Sequence, residues 1–151
     1  MAGVTADFRF HPTIADSLKA LSLTEAQMER KNRHVLSSFT AWSVREIQKA
    51  LSASGGGQPG GSMWRGLTQQ WAEFKTKMGW SPIIGRATGT MAESVSGEEN
   101  FLRGESRSGV GGESEDYAEY FDAQRPITPE ESYALEHFQN LYFETLRSNR
   151  V

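Results

Sequence analysis

The sequence predicts an α+β fold, in which a long N-terminal helix and a C-terminal helix pack on a small antiparallel sheet. Two segments, residues 24–53 and 128–147, repeat apolar side chains at helical spacing. A short segment near the N-terminus instead alternates apolar and polar residues, which is the period of a half-buried strand. The chain has 151 residues, so we expect residues 1–151 to form a single domain.

The N-terminal strand is predicted from four apolar residues that alternate with polar ones. They are Val4, Ala6, Phe8 and Phe10. Pro12 ends this strand, because proline cannot donate to a ladder. Thr13 then opens a short predicted helix.

The helix at 24–53 is the strongest predicted element. Thr24 and Gln27 have the spacing of a capping box. Its apolar residues form a face wide enough to contact more than one element. They are Met28, Val35, Leu36, Phe39, Trp42, Ile47 and Leu51. The run GGGQPGG at 55–61 ends the helix, and we expect it to be a glycine hinge or a loop at an interface.

A second, shorter helix is predicted from Thr68 to Met78, with Leu67 as a hydrophobic staple before the Thr68 cap. Its predicted inward residues are Trp71, Phe74 and Met78, and its predicted outward residues are Lys75 and Lys77. Another short helix is predicted from Thr90 to Val95.

Residues 97–116 are rich in glycine, serine and glutamate. They predict a long flexible acidic loop, or a loosely held hairpin that pairs properly only in an assembly. Residues 93–122 carry 2 basic and 9 acidic side chains, a balance of −7 in a chain whose net charge is −3. A solvated loop is the ordinary interpretation of such a segment.

The C-terminal helix at 128–147 has a marked start, because Thr128 is a predicted cap, Pro129 is at N1 and Glu131 is at N3. Its predicted buried stripe comprises Ala134, Leu135, Phe138, Leu141, Tyr142 and Leu146.

Residues able to carry chemistry are few or badly placed. The chain has no cysteine, which excludes thiolate metal sites, disulfides and cysteine nucleophiles. Its three histidines lack partners at metal-ligand spacing, and no G-x-S-x-G or P-loop motif occurs. We therefore expect no catalytic residues, no metal and no cofactor, so the chain is predicted not to be an enzyme.

The sequence also bears on location. No apolar run approaches the roughly 20 residues that cross a bilayer, and the N-terminus lacks the pattern of a signal peptide. We expect no membrane partner and a protein made in a reducing cytoplasm.

Aromatic residues are the remaining signal. Trp64 and Trp80 flank the predicted second helix, and they are either core residues or anchors for a partner. Tyr117, Tyr120 and Phe121 restore apolar character after the acidic segment.

Several short motifs occur in an order that resembles the tail-completion, or virion morphogenesis, family of tailed bacteriophages. The motifs are Gly60-Gly61, Trp64, Leu67-Thr68, Lys75, Thr88-Gly89-Thr90-Met91, Ser94-Val95, Tyr117-Ala118 and Arg125-Pro126. The resemblance spans about residues 24–146. The chain departs from the family pattern at 97–116, and at 119–122, where the family often has His/Gln-x-Gly.

The resemblance implies a structural virion protein of the neck, at the head–tail junction or the top of the tail, assembled in the host cytoplasm. It implies a homo-oligomeric ring, six- or twelve-fold, with other neck, connector or tail-tube proteins as partners. DNA would only pass through the channel. Whether the protein is a terminator, a completion protein or a connector stays open.

Two sets of residues are candidates for roles in such a ring. The predicted interface residues are Trp64, Leu67, Trp80, Tyr117, Tyr120, Phe121 and Arg125. The predicted channel-facing acids, which would repel phosphate and let DNA slide, are Glu98, Glu99, Glu113, Glu115 and Asp116.

Two other interpretations remain. A small helical interaction module would sequester a partner through the 24–53 helix, as a monomer or dimer and with no channel for the acidic segment to line. An enzyme whose site leaves no recognisable motif is the third.

Overall fold

A computed structural model of the chain describes residues 3–9, 24–52, 56–80, 90–111, 122 and 125–148. Its elements, in chain order, are β1 (Thr5–Arg9), α1 (Glu25–Ser52), α2 (Gln69–Lys77), α3 (Thr90–Glu93), β2 (Val95–Asn100), β3 (Glu105–Val110) and α4 (Glu131–Arg147). The predicted α+β class is confirmed. Within these residues no helix combines the length and apolarity needed to span a membrane. The predicted helix after Thr13 lies outside the described residues.

The sheet has three antiparallel strands in the order β1-β3-β2. Ala6 of β1 lies opposite Ser108 of β3, and Glu98 of β2 lies opposite Arg107. Residues 97–110 therefore belong to a hairpin that pairs with β1 of the same chain. The expectation of a flexible loop does not hold for these residues, while 112–116 lie outside the described part of the chain.

Helix α1 is the central element, because it packs against both the sheet and α4. The capping box at its start is confirmed: Gln27 N donates to Thr24 Oγ1 and Thr24 N donates to Gln27 Oε1. One face joins the cluster Ile47, Ala50, Leu51, Trp64, Met91, Val95, Val110 and Ile127. The adjacent face joins Phe39 and Trp42 to Ala134 of α4. The predicted wide apolar face is confirmed.

Buried hydroxyl groups join α1 to the sheet. Thr40 Oγ1 lies 2.5 Å from Ser106 Oγ, and Ser43 Oγ lies 2.5 Å from Ser108 Oγ. Each hydroxyl has a partner, so its burial carries no penalty for an unmade hydrogen bond. Gly97 of β2 allows this close approach, since a Cβ there would lie 2.6 Å from Thr40 Cγ2. This polar interface explains why the hairpin lacks the apolar alternation of an ordinary strand.

Helix α4 begins three residues later than the predicted cap. Glu130 is the N-cap, and its side chain accepts a hydrogen bond from Tyr133 N. The helix does not start at Thr128 because residues 128–130 bond to the turn at 58–59 instead. Thr128 O accepts a hydrogen bond from Gln58 Nε2, and Glu130 N donates to Pro59 O. The predicted stripe holds only in part, because Leu135 is 46% exposed. Ala134 and Leu146 are buried, and Phe138, Leu141 and Tyr142 are half-buried.

The far end of α4 is held by a cation from α1. Lys31 is 4% exposed, and its Nζ donates to Thr145 O and Ser148 O. These carbonyls belong to the last turn of α4, where unpaired acceptors and the helix dipole both favour a positive charge. Lys31 lies near the start of α1, so α1 and α4 run antiparallel.

The predicted glycine hinge is an ordered turn in its described part, residues 56–61. Gly61 N donates to Gln58 O, with Pro59 at the second position and Gly60 at φ +72° in the third. This is the pattern of a type II turn, which requires a positive φ at that place. A Cβ on Gly60 would lie 2.1 Å from Tyr133 Cγ, so this turn packs tightly against α4.

Candidate interaction surfaces

Helix α2 presents aromatic side chains to solvent. Thr68 caps it by accepting a hydrogen bond from Trp71 N, and the exposed fractions of Trp71, Phe74 and Met78 are 45%, 41% and 51%. The ring of Phe74 stacks on Trp71 at 5.1 Å and meets Trp80 edge-on at 5.6 Å. We call Trp71, Phe74, Met78 and Trp80 the α2 aromatic face. The prediction that the first three point inward was wrong.

The buried residue of α2 is a lysine. Lys75 is 4% exposed, and this burial lowers the pKa of its ammonium group. The sequence analysis predicted Lys75 to be outward, on the rule that charged residues face water. In α2 the charged residue is buried and the apolar residues are exposed, so the apolar residues are available for contact.

A second apolar surface lies at the turn of the β2–β3 hairpin. We call residues 101–104 the hairpin tip. Leu102 is 98% exposed and Phe101 is 40% exposed. Arg103 N donates to Asn100 Oδ1, and Gly104 has φ +63°. These features give the tip a defined turn.

A cation–π contact also links the tip to α1. The guanidinium of Arg33 lies 4.6 Å from the centre of the Phe101 ring, within the range of a cation–π contact. Glu29 holds the same guanidinium at 3.0 Å from the previous turn of α1. Phe101 therefore packs against α1 through Arg33, while Leu102 projects into solvent.

Trp64 differs from its predicted role as a partner anchor. It is 7% exposed, and its Nε1 donates to Pro126 O at 2.7 Å. Arg125 sits beside it, with Nε donating to Arg65 O, and Leu67 packs on the same core cluster. A side chain enclosed in this way is part of the core of its own chain.

The other predicted interface residues divide into two groups. Trp80 is half-buried and belongs to the α2 aromatic face, so the structure groups it with exposed aromatics that the sequence analysis had placed in the core. Tyr117, Tyr120 and Phe121 lie outside the described residues.

The two described acids of the predicted channel set lie on different sides of the sheet. Glu98 is exposed on the outer face, 3.7 Å from Arg107, whereas Glu99 follows it on the strand and so belongs to the opposite face. Asp7 contacts Arg107 at 2.6 Å and raises the pKa of that guanidinium. The described hairpin thus offers a row of paired charges. The channel role of Glu98 and Glu99 stays a prediction, and Glu113, Glu115 and Asp116 lie outside the described residues.

A histidine lies between α1 and α4. His137 of α4 stacks on Trp42 with 4.1 Å between ring centres. Burial lowers its pKa, and this outweighs the opposite influence of Glu46 and Glu144. Among the described residues, no group of three or more His, Asp or Glu side chains is placed to hold a metal ion.

Comparison with known proteins returns no relative. No family model matches the chain, and neither a curated protein nor a solved structure is significantly similar to it. A functional proposal therefore starts from the two exposed surfaces and from the order of the sequence motifs.

Both surfaces could have been suspected from features of the sequence other than its periodicity. Helix α2 has nine residues and stands between Gly66 and Gly79, so little chain is available to cover both of its sides. Phe101 and Leu102 are adjacent apolar residues in a polar segment. Phe101 at the tip of the hairpin is partly covered by Arg33, while Leu102 is 98% exposed and available to a partner.

Proposed function

We propose that this protein is a structural virion component of a tailed bacteriophage, which assembles as a ring at the head–tail junction or the top of the tail. The observation that carries the proposal is the presence of two separate exposed apolar surfaces, the α2 aromatic face and the hairpin tip, on one folded subunit. They replace Trp64, which is buried, as our candidates for the ring contacts, and Tyr117, Tyr120 and Phe121 stay predicted interface residues.

A ring needs two different contact surfaces on each subunit. Cyclic assemblies larger than dimers use head-to-tail contacts, in which one patch of a subunit meets a different patch of the next. Aromatic side chains carry much of the energy of such contacts. The α2 aromatic face offers three rings, and Leu102 at the hairpin tip is 98% exposed. This pair of surfaces is what a ring subunit requires.

The placement of the sequence motifs gives further support. Trp64, Met91 and Val95 come from three of the motifs in the family resemblance, and they share one core cluster. Trp64 also donates to the carbonyl of Pro126, in the Arg-Pro motif 62 residues away. Residues from these four motifs therefore meet at one place in the fold.

The alternative of a sequestering module has less support. It would use the apolar face of residues 24–53 to hold a partner. In the structure the two sides of this face pack on the sheet and on α4, and Phe39, Ile47 and Leu51 are 0% exposed. Binding through α1 would require the core to open.

The test of the proposal is the location of the protein in particles. Gold-labelled antibody against this chain, applied to intact purified virions from the source phage or prophage, is expected to mark the head–tail junction. Particles from a deletion mutant complemented with unrelated protein serve as the control. Protein abundant in the lysate but absent from purified particles would overturn the structural role.

A further inference from the structure

We infer that the hairpin tip of one copy docks on the α2 aromatic face of the next copy, so that Leu102 packs against Trp71 and Phe74. The inference rests on the proposed ring assembly and deepens it, because it assigns the two halves of the repeating contact. The occupant of the aromatic face is a second copy of this chain.

The two surfaces do not meet within one chain, because Leu102 at the tip is 98% exposed. They are also attached to different parts of the fold. The tip contacts α1 at Arg33, whereas Leu67, which directly precedes the Thr68 cap of α2, packs on the core cluster that contains Ile47 and Leu51. We therefore place the contact between the tip and the aromatic face between different copies.

The chemistry of the two surfaces is complementary. The tip offers an aliphatic side chain, Leu102, next to the exposed guanidinium of Arg103. The α2 side offers aromatic rings and the exposed carboxylate of Glu73, which accepts a hydrogen bond from Gln69. Guanidinium groups bind both partners, by cation–π contact with rings and by charge with carboxylates. The Arg33–Phe101 contact shows the first of these pairings within the chain.

Both surfaces are held in place before they meet. Asn100 and Gly104 shape the turn of the tip, and Arg33 supports Phe101. On the other surface, Phe74 contacts Trp71 and Trp80. Preorganised side chains lose little conformational entropy on binding, which favours even a small contact.

The size of the contact favours a closed ring over a dimer. A stable pairwise interface buries about 800 Å² on each partner, which is more than a four-residue tip can cover. A single contact of this kind is therefore weak. In a closed ring every subunit is held on two sides, and the second contact is intramolecular, with a high effective concentration.

Cysteine cross-linking tests the contact directly, because the chain contains no cysteine of its own. The double variant Arg103→Cys/Gln70→Cys keeps Leu102, Trp71 and Phe74 and places a thiol beside each surface, because both residues are exposed. Treated with a short bismaleimide, it is expected to give a ladder of multimers on a denaturing gel. The matched control is Leu135→Cys/Gln70→Cys, since Leu135 is also exposed but lies on α4. The control is expected to stay mainly monomeric.

A mixing experiment tests whether the contact is head-to-tail. Leu102→Asp removes the tip and keeps the aromatic face, while Phe74→Asp does the reverse. Each variant alone is expected to be monomeric by sedimentation velocity, whereas an equal mixture at high protein concentration forms a weak 1:1 dimer that grows no further. Both sites are exposed, and circular dichroism verifies that each variant is folded.

The outcomes separate this inference from the proposed function. A ladder that appears equally in the control, or oligomers that persist in both aspartate variants, would overturn the tip contact and leave ring assembly through another surface. No cross-linking in a protein that antibody locates at the virion neck would also overturn the tip contact alone. No cross-linking and no label at the neck would overturn both.

Discussion

Two pairs of aromatic residues in this molecule have the same spacing and opposite surroundings. Phe39 and Trp42 on α1 are 0% and 8% exposed, whereas Trp71 and Phe74 on α2 are 45% and 41% exposed. In each pair the two rings contact each other, at 5.4 Å and 5.1 Å. Helical spacing thus brings two rings together in both places, and it does not determine whether the pair is buried.

The neighbours of each pair account for the difference. The ring of Phe39 contacts Phe8 of β1 and Phe138 of α4. The ring of Trp42 contacts Tyr133 and His137 of α4. The exposed pair has a described ring contact with Trp80, just beyond its own helix. A long helix in the middle of the fold collects partners from several elements, while a nine-residue helix between glycines collects few.

The largest expected effect is on the buried pair. Phe39→Ala should lower the free energy of unfolding by about 3 to 5 kcal/mol, because it removes a buried ring and leaves a cavity. Chemical denaturation of the purified protein measures the change, with Phe74→Ala as the matched exposed control. Equal losses in the two variants would contradict the contrast between the pairs.

A smaller loss is expected at the edge of the buried cluster. Gly60→Ala should cost about 2 to 4 kcal/mol, since it combines a positive φ with overpacking against Tyr133. Gly104→Ala is the control, because Gly104 also has a positive φ but nothing lies within 4 Å of its added Cβ. That variant should lose about 1 to 2 kcal/mol, and a larger loss at Gly104 than at Gly60 would refute the packing argument.

The buried pair should also respond to pH through His137. Burial holds the pKa of His137 below its ordinary value of 6.5, so the unfolded chain takes up the proton more readily than the folded one. The contribution to stability is fully present above pH 6.5 and is lost as the pH falls through the folded pKa. Melting temperatures between pH 7 and pH 5 should fall in the native chain and fall less in His137→Phe. Parallel profiles would exclude His137 as the source.

The smallest effect on stability is expected on the exposed pair. Phe74→Ser should lower the free energy of unfolding by no more than about 1.5 kcal/mol, because it removes ring contacts with Trp71 and Trp80 but no fully buried group. The same variant should weaken self-association measured by sedimentation velocity. A large loss of stability would mean that the α2 aromatic face is part of the core.

The sequence predicted the fold class and the positions of the three longest helices, because long periodic segments with caps carry strong local signals. Thr24 with Gln27 and Thr68 with Trp71 cap their helices as predicted. The start of α4 was not predicted correctly, since Thr128 is a preferred type of N-cap and Glu130, the observed cap, is not. The choice between them depends on Gln58 and Pro59, which lie about 70 residues away.

The hairpin and the exposed surfaces were harder to predict for a different reason. Ser106 and Ser108 are 1% exposed and face hydroxyl groups of α1, so the buried side of β3 reads as polar. Lys75 is buried and its aromatic neighbours are exposed, which reverses the usual hydrophobic pattern. The hydroxyl partners of Ser106 and Ser108 lie about 65 residues away, and local periodicity contains no information about them.

The hydroxyl pairs between α1 and the sheet have a mechanical consequence. Apolar side chains slide past one another with little preference for one position, whereas a hydrogen bond has direction and length. Moving α1 by one turn would separate Thr40 from Ser106 and Ser43 from Ser108. Thr40 would keep its hydrogen bond to Leu36 O, but the three serine hydroxyls would each cost about 1 to 3 kcal/mol when buried without a partner. The helix and sheet are therefore expected to move as one rigid unit, with any deformation of the protein concentrated in the parts that project from it.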